Sequence, residues 1–142
     1  MSDISKEALI EKVLSIPAED RVTEFKRLGS DFNVVKVCES IVAMANTDGG
    51  IVILGVDDPE KSKLKGLDRV YGIEENLEKY DELGRYVQKI TPPISYLWPP
   101  PLRLCCANNK TIAVLSISKA INSFHSIDNH VFIRLEKGNR MG

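Results

Sequence analysis

The chain has 142 residues, 43% of them hydrophobic, and a formal net charge of −1 at pH 7. This length suits one domain with one hydrophobic core. A chain so close to neutral lacks the overall basicity of proteins that coat DNA non-specifically, so any nucleic-acid partner must be held by a local basic patch.

Cysteine usage and hydropathy predict a cytoplasmic protein. Three cysteines, Cys38, Cys105 and Cys106, occur without a recognisable export signal, which favours a reducing compartment. Cys105 and Cys106 are poor disulfide partners, because neighbouring side chains of a strand point to opposite faces. The longest apolar run, residues 50–56, is far shorter than the roughly 18 to 20 residues that cross a bilayer, so no membrane partner is expected.

The first half of the chain alternates helical and extended patterns. Hydrophobic residues at helical spacing predict a short helix over Ser5–Ser15, which Pro17 ends. The charged segment Arg21–Leu28 is typical of an edge or partly exposed strand. A second helix is predicted over Val34–Ala45, and it should end in the glycine-containing turn Asn46–Gly50.

The second half contains further strands and one long helix. The apolar, β-branched run Ile51–Val56 is expected to form a central strand covered on both faces. Lys61–Leu67 is predicted to return as the second strand of a hairpin, and a charged helix should follow from Ile73 or Asn76 to Ile90. The remaining predicted strands are residues 102–107, residues 111–117 after a tight turn at 108–110, and residues 130–135.

This order of elements predicts an α+β fold, with a mixed, largely antiparallel sheet flanked by helices. No internal repeat or low-complexity tract divides the sequence. Residues 1–142 are therefore expected to form a single domain, with the helix at 5–15 as an extension.

Two places in the sequence contain carboxylates that are candidates for a metal or catalytic site. Asp57 and Asp58 follow the predicted central strand, whose end would hold their carboxylates rigidly enough to bind Mg²⁺ or Mn²⁺. The alternative is that Asp57-Asp58-Pro59 is simply a turn, for which this composition is common. Glu19 and Glu24 are five residues apart, so on a straight strand they would point to opposite faces. They can share a site only if the chain bends between them; otherwise they belong to a solvated edge strand.

Three motifs resemble the signature of the Schlafen AlbA-like domain family, in the family's order and spacing. Thr23–Arg27 contains "EFK", Ala43–Gly50 matches "AxANTxGG", and Ile53–Asp58 contains "GVDD". Weaker matches follow at Gly66–Leu67, Thr91–Ile94, Val131–Arg134 and Lys137–Arg140. The resemblance therefore covers nearly the whole chain from about residue 18.

The resemblance implies a nucleic-acid-binding domain and, as in the family's nucleases, a metal-dependent ribonuclease site. The residues that match the three family carboxylates are Glu19, Glu24 and Asp58. They would bind one Mg²⁺ or Mn²⁺ ion, while Lys26 stabilises charge on a phosphate of structured RNA such as tRNA. Other relatives are described as DNA-binding or transcription-regulator domains, so a non-catalytic DNA- or RNA-binding module is the alternative.

Contacts with the nucleic-acid backbone would come from basic side chains, if the sheet edge and the C-terminal strand lie together. The candidates are Arg21, Lys26, Arg27, Lys36, Arg134, Lys137 and Arg140. Tyr96 and Trp98 could stack on bases, but Trp98 could equally cover the core. Nuclease members of the family use two related lobes and this chain has one, so the resemblance predicts a homodimer.

Two further cofactors are not expected. Larger family members carry a zinc site built from a His-x-Cys pair and adjacent cysteines, and this sequence has Cys105 and Cys106 but no His-x-Cys. ATP is not expected either, because the sequence has no G-x-x-x-x-G-K-[ST] loop to cradle its phosphates.

Overall fold

The computed structural model describes residues 3–94, 97–98, 102–104, 109–136 and 138–141. Within these ranges the helices are Asp3–Ser15 (α1), Val34–Ala45 (α2) and Leu77–Tyr86 (α3), and short 3-10 turns occupy Gly66–Arg69, Ile73–Asn76 and Val87–Lys89. The strands are Thr23–Lys26 (β1), Gly50–Leu54 (β2), Leu102–Leu104 (β3), Lys110–Ile117 (β4), Phe132–Arg134 (β5) and Asn139–Met141 (β6).

Four of these strands form a mixed sheet in the order β1-β2-β4-β3. β1 lies at one edge and runs parallel to β2, whereas the β2–β4 and β4–β3 pairs are antiparallel. β5 and β6 form a separate antiparallel hairpin. This arrangement confirms the predicted α+β fold with a largely antiparallel mixed sheet.

Both faces of the central strand β2 are buried. Alternate residues of a strand point to opposite faces, so Val52 and Leu54 join the larger core with α2 and α3, while Ile53 joins a smaller core with Ile10 and Val13 of α1. Val52, Ile53 and Leu54 are all fully buried. The prediction of a central strand covered on both faces is confirmed.

The predicted strand at 61–67 is wrong. The backbone carbonyl of Asp58 accepts hydrogen bonds from Lys61 N and Ser62 N, at 3.2 and 2.9 Å, and this closes a turn that carries the chain away from the sheet. A single bridge between Val56 and Val70 restores contact with the end of β2. The exposed lysines of this segment have no alternating apolar partners that would fix a strand to the core.

Near the C-terminus the final strand is shorter than predicted and has an unpredicted partner, β6. The predicted residues 105–107 and Asn108 lie outside the described residues, but Asn109 has the positive φ expected of the tight turn, 59°. None of the helices in the described ranges has the length and apolar character needed to cross a membrane.

Candidate nucleic-acid site

The chain bends sharply between Glu19 and Glu24, as a shared site requires. Asp20 N donates to Thr23 O at 3.1 Å, Thr23 N donates to Asp20 O at 3.4 Å, and Val22 N donates to the Asp20 carboxylate at 2.9 Å. The reversal brings Glu19 alongside β1, where its Oε2 accepts a hydrogen bond from Phe25 N at 2.8 Å. Glu19 therefore caps a backbone donor on the open edge of the sheet, while Glu24 lies on β1 itself.

A pocket of about 520 Å³ opens beside this edge. Glu19 and Asp58 both line it, together with Lys26 from β1. Lys36 of α2 and Lys61 of the turn after β2 add two exposed ammonium groups to its wall. The pocket thus combines carboxylates with cations, a composition suited to a phosphodiester and its counter-ion.

The electrostatic environment of Glu19 shows that it belongs to a carboxylate cluster. Its pKa is raised above the ordinary value, first because the carboxylate is partly buried and further because Asp58 and Glu24 repel its charge. The hydrogen bond from Phe25 N and the positive charge of Lys26 oppose the rise in this pKa. Asp58, Glu24 and Lys26 therefore all lie close enough to Glu19 to affect its pKa.

Asp58 combines the two roles that the sequence left open. Its Oδ1 accepts a hydrogen bond from Glu60 N at 2.9 Å, so the carboxylate shapes the turn that follows β2. The residue is also 8% exposed and lines the pocket. A carboxylate has two oxygens, so a turn contact at one oxygen does not prevent the other from binding a ligand.

Glu24 is held in a buried ion pair. Its Oε1 accepts hydrogen bonds from Arg134 Nη1 at 2.9 Å and from Ser40 Oγ at 3.3 Å. Its Oε2 is buried and has no hydrogen-bond partner among the described residues. Arg134 Nε, in the same ion pair, is also buried without a partner. Glu24 does not line the pocket, so the structure places Glu19 and Asp58 there but not the third predicted carboxylate.

The structure departs from the expectation that three carboxylates converge on one ion. In the part of the chain that is described, no group of three His, Cys, Asp or Glu side chains is placed to hold a metal. The reason is that Glu24 Oε1 is bonded to Arg134 and Glu19 Oε2 to Phe25 N. The donor set still fits a divalent cation, because Mg²⁺ commonly uses one or two carboxylates and completes its shell with water and phosphate oxygens.

Arg134 departs from the expectation of a surface cation that binds nucleic acid. It is 4% exposed and bonded to Glu24, so it is not free to meet a phosphate. Its position depends on the predicted glycine-containing turn: Arg134 N donates to Thr47 Oγ1 at 2.9 Å, and Asn46 Nδ2 donates to the carbonyls of His125 and Phe132. The "ANT" part of that turn therefore fixes the C-terminal strands rather than a ligand.

The other predicted basic residues differ in their availability. Lys26 and Lys36 line the pocket, and Arg140 is exposed on β6. Arg21 pairs with Asp48 at 2.9 Å on the surface. Arg27 makes a two-pronged contact with Glu75 and lies 3.7 Å above the Tyr71 ring, so it is held on the rim of the pocket.

Of the other residues considered as ligands or base contacts, Trp98 lies among the described residues. Trp98 packs on the core, with its ring 4.9 Å from that of Tyr80 and in contact with Gly84, so the core-covering role predicted as an alternative is the one observed. Lys137, Tyr96, Cys105 and Cys106 lie outside the described residues.

The chain is an α+β domain with carboxylates and lysines around one pocket at a sheet edge, a composition that suits a phosphate-bearing ligand. The family model described as Schlafen, AlbA_2 matches residues 19–141, and the chain therefore belongs to this family, whose domains bind nucleic acids. The match begins at Glu19, so α1 precedes the matched residues.

Comparison with solved structures supports the fold. The chain is similar to the DIP2311 protein from Corynebacterium diphtheriae, with a TM-score of 0.53 and 16% sequence identity. The alignment covers 99% of this chain and 32% of that one, so the chain spans about a third of the length of its structural relative. Among curated proteins no match was found.

Proposed function

We propose that this domain is a divalent-metal-dependent endoribonuclease that acts on structured RNA such as tRNA. The observation that carries the proposal is that Glu19 and Asp58 line one pocket with Lys26, while the repulsion of Glu19 by Asp58 and Glu24 marks a carboxylate cluster in need of positive charge. A Mg²⁺ or Mn²⁺ ion would supply that charge.

The residues of the site would have three different roles in RNA cleavage. Lys36 and Lys61 are exposed on the pocket wall, where they would bind the RNA backbone in a salt-dependent manner. Lys26 would stabilise charge that develops on the phosphate under attack. Glu19 and Asp58 on the pocket wall, together with Glu24 of β1, would hold the cation, which when bound polarises a phosphodiester and lowers the pKa of a water.

A non-catalytic DNA- or RNA-binding module is the second candidate. It is favoured by the placement of Glu24, since an ion pair with Arg134 occupies one oxygen and the described residues contain no preassembled group of three ligands. In this alternative the lysines of the pocket bind phosphates, and the carboxylates only keep the wall and the turn in place.

Incubation of the purified protein with tRNA, with Mn²⁺ and with EDTA, separates the two candidates. Cleavage that EDTA stops and that Asp58→Asn abolishes supports the nuclease. Tight binding that weakens with salt, without cleavage in either buffer, supports the binding module. Protein that neither cleaves nor binds RNA or DNA would contradict both.

A homodimer belongs to the same proposal. One pocket with a few lysines offers a short phosphate track, and a second copy would extend it to a length suited to a folded RNA. Light scattering across a range of concentrations tests this point: a mass of about twice that of the chain agrees with it, and a monomer at every concentration contradicts it.

A further inference from the structure

We propose that the turn from Asp58 to Lys65, here termed the lysine turn, is a second phosphate-binding subsite that holds the nucleic-acid backbone beyond the pocket. The proposal rests on the nucleic-acid binding in the proposed function, but it depends neither on cleavage nor on a metal ion. It concerns a segment for which the sequence pattern predicts a strand and which the structure shows as a turn outside the sheet.

The lysine turn carries three cations within five residues. Lys61, Lys63 and Lys65 are all exposed, and Glu60 is the only acidic residue between positions 59 and 65. Among the described residues, none of the ion pairs involves these three lysines. The turn therefore presents concentrated positive charge to the solvent.

Two other exposed cations of the chain already have acidic partners. Arg21 pairs with Asp48, and Arg27 pairs with Glu75. These arginines would have to exchange a carboxylate for a phosphate, whereas the lysines of the turn would not. Because the chain as a whole has a net charge of −1, a phosphate polymer must be held by a local cluster of this kind.

The backbone of the lysine turn is held by its own hydrogen bonds. The carbonyl of Asp58 accepts from Lys61 N at 3.2 Å and from Ser62 N at 2.9 Å, and the Asp58 carboxylate accepts from Glu60 N at 2.9 Å. Ser62 Oγ accepts from Leu64 N at 3.1 Å. The lysines therefore project from a turn whose backbone is already arranged, which lowers the entropy lost on binding.

The lysine turn is continuous with the pocket. Asp58 and Lys61 both line the pocket, together with Lys26 and Lys36. Lys65 follows Lys61 by four residues, so the two Cα atoms are at most about 14 Å apart. This length corresponds to about four phosphates along one strand of a duplex, at ~3.4 Å for each phosphate. A strand with one phosphate in the pocket would therefore meet the lysine turn with the phosphates that follow.

An anionic membrane is the other surface that exposed lysines could bind, and two exposed leucines, Leu64 and Leu67, accompany them. A membrane is planar and cannot follow the cationic wall into the pocket, whereas a flexible phosphate polymer can. The chain also belongs to a family whose domains bind nucleic acids. These observations favour the nucleic-acid backbone as the ligand of the lysine turn.

Fluorescence anisotropy with a labelled tRNA transcript and a labelled DNA duplex tests the proposal on the full chain. The titrations are made in EDTA, which prevents metal-dependent cleavage, at several KCl concentrations between about 50 and about 200 mM. The first variant carries Lys61→Gln, Lys63→Gln and Lys65→Gln, and the second carries arginine at the same three positions.

A matched control removes the same amount of charge elsewhere on the surface. It changes three exposed cations that do not line the pocket, Arg85→Gln, Lys89→Gln and Lys119→Gln. Exposed substitutions of this kind usually alter the unfolding free energy by less than about 0.5 kcal/mol, so both triple variants should fold.

We expect the slope of log affinity against log salt concentration to fall by about 2 to 3 in the glutamine variant, because each phosphate contact contributes about 0.7 to 0.9. The arginine variant should keep the slope and affinity of the wild type, since it keeps all three charges. The control should change the slope by less than about 1, because its cations lie outside the proposed subsite.

The outcomes separate this proposal from the proposed function. If the wild type binds nucleic acid and the glutamine variant keeps its salt slope, the lysine turn is not a subsite, while the proposed function stands. A glutamine variant that loses only its binding to vesicles of phosphatidylcholine and phosphatidylserine also overturns the proposal, as does a control that weakens equally. Wild-type protein that binds with the expected slopes but cleaves no tRNA in Mn²⁺ overturns the nuclease and supports the subsite. Wild-type protein that binds neither RNA nor DNA overturns both.

Discussion

Arg134 Nη1 lies 2.9 Å from Glu24 Oε1, and the two residues are 4% and 5% exposed although 110 positions separate them in the sequence. Charges are rarely buried this completely without a partner, since removal from water costs several kcal/mol for each ion. The pair joins the edge strand of the sheet to the C-terminal hairpin, and it fixes one of the three predicted acidic ligands.

Loss of Arg134 alone should strongly destabilise the protein. Arg134→Ala leaves the Glu24 carboxylate buried without its counter-charge, and such changes cost about 3 to 5 kcal/mol. Urea denaturation followed by circular dichroism measures the effect. The double variant Glu24→Gln with Arg134→Met should recover part of the loss, because neither buried charge remains. A single variant within 1 kcal/mol of wild type would show that the pair is not buried in solution.

Glu19→Gln should stabilise the metal-free protein at neutral pH. The glutamine keeps an acceptor for Phe25 N but removes a charge that partial burial, Asp58 and Glu24 all disfavour. The pKa of Glu19 is raised in the folded state, so the stability linked to its protonated form is present at low pH and is lost as the pH rises through that pKa. Denaturation in EDTA should therefore show a larger gain for Glu19→Gln at pH 7 than at pH 4. An equal effect at both pH values would contradict the raised pKa.

Asn46→Ala should loosen the C-terminal segment that carries Arg134. The amide donates to the carbonyls of His125 and Phe132 and accepts from His125 N at 2.7 Å. Losing these bonds should cost about 2 to 3 kcal/mol, because their partly buried partners are left unsatisfied.

Hydrogen exchange followed by mass spectrometry locates the effect of Asn46→Ala, with faster exchange expected in peptides that span residues 125–134. Asn76→Ala is the control, because it removes only the N-cap contact to Lys79 N, worth about 1 kcal/mol. If exchange at 125–134 increases equally in both variants, Asn46 does not hold this segment.

Gly55→Ala should destabilise the fold at the point where β2 leads into Asp57 and Asp58. Gly55 has a φ of 96°, and a Cβ there would lie 3.0 Å from the backbone carbon of Gly72. The expected cost is about 1 to 3 kcal/mol. Gly138→Ala is the matched control, because a Cβ there meets no atom within 4 Å and should change the unfolding free energy little. Equal stability of the two variants would contradict the close approach.

The sequence predicts most elements whose residues repeat at a regular period. α2 and α3 were expected from helical spacing, and β2 from its continuous apolar run, because each buries a whole stripe or face. The strand at 61–67 was predicted wrongly because a turn closed by Asp58 leaves little local signal. β6 has only three residues, too few for a periodic pattern.

The functional site is only partly predictable from the sequence, because some of its contacts join residues that are distant in the chain. The bend between Glu19 and Glu24 depends on local hydrogen bonds of Asp20, and the resemblance to the family indicated which carboxylates to compare. The sequence does not predict that Arg134 is buried against Glu24. Its partner lies on another strand, and a lone arginine in a sequence is ordinarily expected to be a surface charge. A buried ion pair between distant segments becomes visible only once the strands are placed.

The central claim is that the carboxylates of the pocket support cation-dependent RNA cleavage, and the neighbouring residues Asp57 and Asp58 offer a matched test. Both line the pocket, but only Asp58 raises the pKa of Glu19, whereas the Asp57 carboxylate accepts a hydrogen bond from Asp58 N. Single-turnover cleavage of tRNA in Mn²⁺ should fall at least about 100-fold in Asp58→Asn, a loss of about 2.7 kcal/mol in transition-state stabilisation. Asp57→Asn should stay within a few-fold of wild type. Undiminished cleavage by folded Asp58→Asn would contradict the account.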